Sequence, residues 1–172
     1  MGGSDVADIT TNLFRSIHIK FPSTPITVIV GKGYRHTQAL QQLADEYTEH
    51  AQHPQACEQT KPLTEVIISA TAEQMRNCMA QSIVAFTTGG QTLYELIRMQ
   101  TPIIAFQVAE NQSASLNALL KFGIISKIYL PEEIEESVQD YCTKELITPP
   151  PLIDGNGAYR VIHDIMETPH TG

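Results

Sequence analysis

The sequence predicts an α/β fold with a doubly wound, Rossmann-like parallel sheet, and three observations carry that prediction. Short apolar, β-branched runs alternate with stretches of helical periodicity along the whole chain. The runs are continuously apolar, as strands covered by helices on both faces are. Several end in glycine-rich or polar loops that lead at once into a helix, as Thr87, Thr88, Gly89 and Gly90 do.

The first element is a helix through Ile9, Leu13, Phe14 and Ile17, with Ser4 or Asp5 in place to cap it. A Gly-Gly-Ser-Asp turn of this kind normally follows a strand, so a strand is expected ahead of it, of which Met1 supplies only the last residue. ITVIV (26–30), entered through Pro25, is a buried strand ending in the loop from Gly31 to Arg35. A helix follows from about Thr37 to Glu49 with Leu40 and Leu43 inside, and residues 50–62 form a polar connection. VIIS (66–69) is a short strand, and the helix from Glu73 to Met79 buries Met75, Cys78 and Met79. SIVAF (82–86) is the next strand, and its glycine turn opens a helix with Leu93, Leu96 and Ile97 on one face. Thr101 and Pro102 stop that helix, IIAFQ (103–107) is a further strand, and a polar Glu110-Asn111-Gln112 precedes another helix. That helix, Ser113 to Phe122, places Leu116, Leu119 and Leu120 inside and closes on Gly123 in the C′ position. KIYL (127–130) is the last strand, and Pro131 opens an acidic helix. TPPP (148–151) reads as a stiff linker, after which Asp154 to Gly157 turn the chain into a final helix through Val161, Ile162 and Ile165.

At 172 residues the chain is about one domain, large enough for a proper core. The net charge of -8 and eleven scattered Lys and Arg argue against a nucleic-acid surface, although a small anion held by backbone amides is allowed. No apolar run approaches the roughly 20 residues of a membrane span, and a cytoplasmic location is expected. Cys57, Cys78 and Cys142 fit neither a disulfide framework nor a CxxC metal site and are expected as reduced thiols. His50, His53 and Cys57 form the one cluster to weigh as a metal site; it lacks a fourth ligand and reads as a solvated helix end, so no metal is expected.

The chemistry concentrates in residues 87–112. In an open parallel sheet the loops after the strands at 82–86 and 103–107 lie at the carboxyl edge, where such sheets bind ligands. Gly89 and Gly90 let the backbone approach a ligand, and the helix N-terminus behind them favours an anion, most often a phosphate. Glu95, one turn in, is placed to accept hydrogen bonds from two ribose hydroxyls. The competing reading makes Thr92 and Glu95 a capping box.

Three separated pieces then share a pattern: GGSD at residues 2–5, the stretch from Met79 to Gly123, and DGNGAYRV at 154–161. Together they resemble the C-terminal half of PseG-type UDP-sugar hydrolases of the pseudaminic acid pathway and SpsG-like polysaccharide biosynthesis proteins. More remotely they are similar to MurG-like glycosyltransferases of the GT-B fold. The resemblance implies that residues 1–172 form one GT-B-type C-terminal domain that binds UDP or a UDP-sugar, with no cofactor. It puts the diphosphate on Thr88, Gly89, Gly90 and Gln91, the ribose on Glu95, the uracil on the backbone of Gly31 to Arg35, and the sugar beside Asn111 and Gln112. Lys32, Tyr34 and Arg35 belong to the uracil loop, and Gly2, Gly3 and Ser4 line the cleft toward a second domain. Two departures qualify this: nothing here corresponds to the family's N-terminal domain with its proposed water-activating histidine, and Gln91 stands where relatives carry a smaller residue. No catalytic residue is therefore expected within the chain. The leading expectation is the UDP-binding domain of a nucleotide-sugar hydrolase that works with an N-terminal domain or partner subunit. The alternatives are the corresponding half of a GT-B glycosyltransferase, a non-catalytic nucleotide-binding module, and an α/β fold that has lost its ligand.

Overall fold

The computed structural model describes residues 5, 8–51 and 64–167. The expected alternation of strand and helix is present, with α1 (Ile9–Lys20), β1 (Ile26–Val30), α2 (Thr37–Ala51), β2 (Thr64–Ile68), α3 (Ala72–Gln81) and β3 (Ala85–Thr88) in the first half. There follow α4 (Thr92–Met99), β4 (Ile103–Phe106), α5 (Ser113–Lys121), β5 (Ile128–Tyr129), α6 (Ile134–Thr143) and α7 (Gly157–Glu167). Every pairing among the described strands is parallel, and the fold is a Rossmann-like α/β fold. The strands form two ladders, β1-β2 and β3-β4-β5, with no hydrogen-bonded strand joining them among the described residues.

Each cluster of the core belongs to one face of one ladder. On one face of β3-β4-β5, α3, α4 and α5 contribute Met79, Leu93, Leu96, Ile97, Leu116 and Leu119 against Ile103 and Ala105. On the other face, Ile9 and Leu13 of α1 and Ile134 and Val138 of α6 meet Ile104, Phe106 and Tyr129. The smaller ladder has a third cluster, in which Phe14 of α1 and Leu40 and Ala44 of α2 cover Val30 and Tyr34. Phe14 also meets the Tyr47 ring at 5.4 Å, so α1 and α2 share a face.

Local chemistry explains most boundaries. The N-cap of α1 is Asp8, whose side chain makes no cap bond; the Asp5 carboxylate, three residues earlier, accepts the first N–H groups of the helix instead, from Ile9 at 3.0 Å and Thr10 at 2.7 Å. Thr71 and Gln74 form a capping box at α3. Gly123 has φ +66, and the N–H groups of Gly123 and Ile124 bond to the carbonyls of Leu120 and Leu119 at 3.1 and 2.9 Å, a Schellman ending for α5. Gln100 ends α4 the same way at φ 57, bonding to Ile97, with Thr101 bonding to Leu96.

Several expectations need correction. The strand expected at 82–86 lies at Ala85–Thr88, because Ser82 is taken up in ending α3, its N–H bonding to Met79 and its hydroxyl to the Cys78 carbonyl. Leu120 is 40% exposed: Leu116 and Leu119 fill the inner face of this short helix. Residues 148–151 do not stand free as a linker, since Pro149 is fully buried and its carbonyl accepts the Gln100 side-chain amide. Val161 and Ile162 are more than half exposed, at 57% and 55%, so the apolar side of α7 is not packed into this core.

Candidate functional site

Within each ladder the strands run parallel, so the loops after β3 and β4 emerge together at the carboxyl edge of the larger ladder and the loop after β1 at the carboxyl edge of the smaller one. The β3 and β4 loops touch. Gly89 is the contact point: a β-carbon there would lie 2.7 Å from Gln112 Cβ and 3.1 Å from both Gln112 Cγ and a Leu116 methyl. Gly89 is thus glycine because α5 packs over it. Gly90 differs, as a β-carbon there would meet nothing within 4 Å. Neither needs a left-handed backbone, since the positive-φ glycines among the described residues are Gly123 and Gly155.

The first turn of α4 leaves its donors open. Gly90 N–H bonds to the Thr88 carbonyl at 2.7 Å, Leu93 N–H to Gly90 at 3.2 Å and Tyr94 N–H to Gln91 at 3.0 Å. The N–H groups of Gln91 and Thr92 have no partner among the described residues. Gly90 and Gln91 are exposed and Thr92 is half-buried, so this turn and the positive end of the helix dipole lie at the surface. Glu95 is exposed in the same turn. The capping box proposed for Thr92 and Glu95 is absent: the N-cap is Gln91, which makes no side-chain cap bond. Thr88 is buried at 4% exposure, so only its backbone borders the open turn.

In the β4 loop, Glu110–Gln112 form a 3₁₀ turn. Gln112 is committed there, its side-chain oxygen accepting Val108 N–H at 2.9 Å and Ala109 N–H at 3.3 Å. Asn111 is exposed beside it. In the β1 loop, Tyr34 N–H closes a turn on the Gly31 carbonyl at 3.1 Å, leaving Gly31, Lys32, Gly33 and Arg35 exposed. The Tyr34 side chain turns inward, its hydroxyl 2.9 Å from the Thr11 hydroxyl and donating to Asp8 at 3.2 Å. Burial, and then the Asp8 carboxylate, push its pKa up, against the Thr11 bond, which lowers it. Tyr34 ties the β1 loop to α1 rather than presenting a side chain to the edge.

The structure therefore brings Thr88, Gly89, Gly90, Gln91, Glu95, Asn111 and Gln112 together on one ladder, while Gly31, Lys32, Tyr34 and Arg35 follow β1 at the carboxyl end of the other. Gly3, Ser4, His53 and Cys57 lie outside the described residues, and the His50, His53 and Cys57 cluster with them. Among the described residues no group of His, Cys, Asp and Glu could hold a metal ion, and no helix is long and apolar enough to cross a membrane.

One residue at this edge carries no sequence signal. Ser69, just after β2, has φ 56, and its buried hydroxyl has no hydrogen-bond partner. Its N–H holds the Val30 carbonyl at 2.8 Å, which pins the ends of β1 and β2 together. Serine is not a usual left-handed residue, so nothing in its type announces the conformation.

Comparison with protein-family models, with curated proteins and with solved structures found no significant match.

Proposed function

We propose that this domain binds the diphosphate of a uridine nucleotide or UDP-sugar at the N-terminus of α4 and that it supplies the nucleotide-binding half of a nucleotide-sugar hydrolase. The observation that carries the reading is the open turn at Gly90, Gln91 and Thr92, with two free N–H donors beside an unobstructed glycine. Glu95 supports it, because an exposed carboxylate that caps nothing is available to a ribose. The Gln112 side-chain oxygen holds its own loop, so in this reading Gln112 meets the sugar through its amide nitrogen, beside the exposed Asn111. In this reading a partner domain brings the group that activates water, and the isolated chain turns over no UDP-sugar.

Calorimetry with UDP, ADP and GDP tests the proposal. UDP should bind best. Glu95→Ala should weaken it by about 1–3 kcal/mol, the loss expected for one charged hydrogen-bonding partner, without lowering the melting temperature. Gly90→Ala should fold normally and lose affinity, because the new methyl occupies space that only a ligand uses. Failure of every uridine nucleotide to bind, or wild-type affinity in Gly90→Ala, would overturn it.

A further inference from the structure

Two surfaces of this chain stand bare among the described residues, and they fit one another. The first is α7, along which every described side chain is exposed, Tyr159 and Met166 at 75% and 80%. Ala158, Val161, Ile162 and Met166 recur at three- and four-residue spacing and form one apolar stripe, with Arg160 and Asp164 on the opposite side of the helix. A helix of 11 residues is marginal in water by itself, because most helical stability comes from packing such a stripe. The second surface is the far face of the β1-β2 ladder. Successive residues of a strand point to opposite faces, and Ile26, Val28, Val30 and Val66 meet α1 and α2, so Thr27, Ile29, Glu65 and Ile67 point the other way. Ile29 and Ile67 are register partners and lie side by side, yet neither enters a core cluster, and Thr27 on the same face is exposed. Parallel strands are as a rule covered on both faces, and among the described residues no core cluster covers this one.

We propose that the α7 stripe seats on the open face of the β1-β2 ladder of a second copy of this chain, in a reciprocal two-fold exchange. The lengths agree, since 11 helical residues run about 16 Å and strands of five residues about 17 Å. The chain's own α7 is launched from the other ladder. The Pro149 carbonyl is held by Gln100 at the end of α4, and Ile153 packs into the α3, α4 and α5 side of β3-β4-β5. Asp154 then fixes the turn into α7, its carboxylate accepting the Asn156 N–H at 2.9 Å and bonds from Arg160 Nη1 and Nη2 at 2.7 and 3.1 Å. Anchor and turn together hold α7 off its own domain with the stripe bare. Area favours a second copy over a partner of another kind. A helix of this length, about 10 Å across, removes roughly 300 Å² of accessible surface from each side of such a contact. One seating therefore buries about 600 Å², half of the roughly 1,200 Å² at which stable interfaces begin, and two-fold exchange doubles it to that size.

Sedimentation velocity of the unmodified chain tests this, together with two variants at exposed positions. Ile162→Asp puts a charge into the stripe, and Thr27→Arg puts a long cation over the open face. The unmodified chain should sediment as a dimer, and its melting temperature should rise with protein concentration. Each substitution should weaken association at least about tenfold, because the new charge must be desolvated on seating, and should leave the circular dichroism of the monomer unchanged. A monomer at the highest soluble concentration, or an assembly larger than a dimer, would overturn the proposal. So would a dimer that survives Ile162→Asp, or one that Ile162→Asp breaks and Thr27→Arg leaves intact, since the helices would then be pairing with each other. The readouts need no nucleotide, so they stand or fall separately from UDP binding.

Discussion

The two ladders are built from similar apolar strands but are held in different ways. The β3-β4-β5 ladder is packed on both faces, by α3, α4 and α5 on one and by α1 and α6 on the other. Among the described residues the β1-β2 ladder rests on one cluster, contributed by α1 and α2, and its outer positions Thr27 and Ile68 are exposed. The difference teaches that strand sequence sets the type of element, while the number of helices covering it sets how much it stabilises. Burying a large apolar side chain is worth about 1.5–3 kcal/mol, and the larger ladder collects that on both faces. The open α4 turn stands on the better supported half, and the Gly31 loop on the other.

The largest effect should separate the halves directly. Phe106→Ala removes a ring with 0% exposure from β4 and should cost about 3–5 kcal/mol in chemical denaturation. Ile67→Ala in the half-buried β2 should cost less than half as much. Equal losses would erase the distinction between the ladders.

Next in size is the contrast between adjacent glycines within the site. Gly89→Ala forces a β-carbon against Gln112 and Leu116 and should destabilise by about 1–3 kcal/mol, whereas Gly90→Ala should leave stability within about 0.5 kcal/mol. If both are tolerated, the β3 and β4 loops are not held as tightly as this packing requires.

Smaller gains should come from relieving left-handed residues, one in each half. Gln100→Gly should stabilise by less than about 0.5 kcal/mol, the left-handed strain relieved less the extra freedom glycine has when unfolded and less the lost bond to the Pro149 carbonyl. Ser69→Gly should gain more, because it also removes a buried hydroxyl without a partner. A loss at Ser69 would mean that its hydroxyl has a role the folded contacts do not reveal.

The smallest effect is at high pH. Burial, and then the 2.5 Å bond that its hydroxyl donates to Asp140, raise the Tyr129 pKa above the ordinary tyrosine value. Tyr34 is raised mainly by burial. A raised folded-state pKa contributes stability that is complete below about pH 10, the unfolded value, and is lost as pH rises through the folded value. Melting temperature should therefore fall above about pH 10, and Tyr129→Phe should flatten part of that fall. An unchanged slope in the variant would remove Tyr129 from the account.

Much of this architecture is legible in the residues. The stripe of Leu93, Leu96 and Ile97 has helical spacing and is buried as the spacing demands, and Gly123 takes the left-handed C′ position its type suggests. What escapes is what depends on distant partners. Gly89 and Gly90 are identical in sequence terms, yet one faces α5 and the other faces solvent. Tyr34 sits in a loop that reads as exposed, and only the arrival of Thr11 and Asp8 from α1 draws it inward. Thr92 and Glu95 have the spacing of a capping box, but Thr92 is already the first helical residue of α4 and Gln91 its N-cap, because the turn through Gly90 supplies its own i to i+3 bonds. The division into two ladders lies beyond any local pattern, since β1 and β3 read as ordinary buried strands.

Amide hydrogen exchange on the unmodified chain tests the difference between the two ladders most directly. Ladder-bonded amides of Ile103–Phe106 should exchange slowest, through global unfolding, and those of Ile26–Val30 at least about tenfold faster, through opening of the smaller ladder alone. Equal exchange in the two strands, with the same dependence on denaturant, would mean that they open as one unit and would contradict the division of the sheet into a strongly and a weakly supported half.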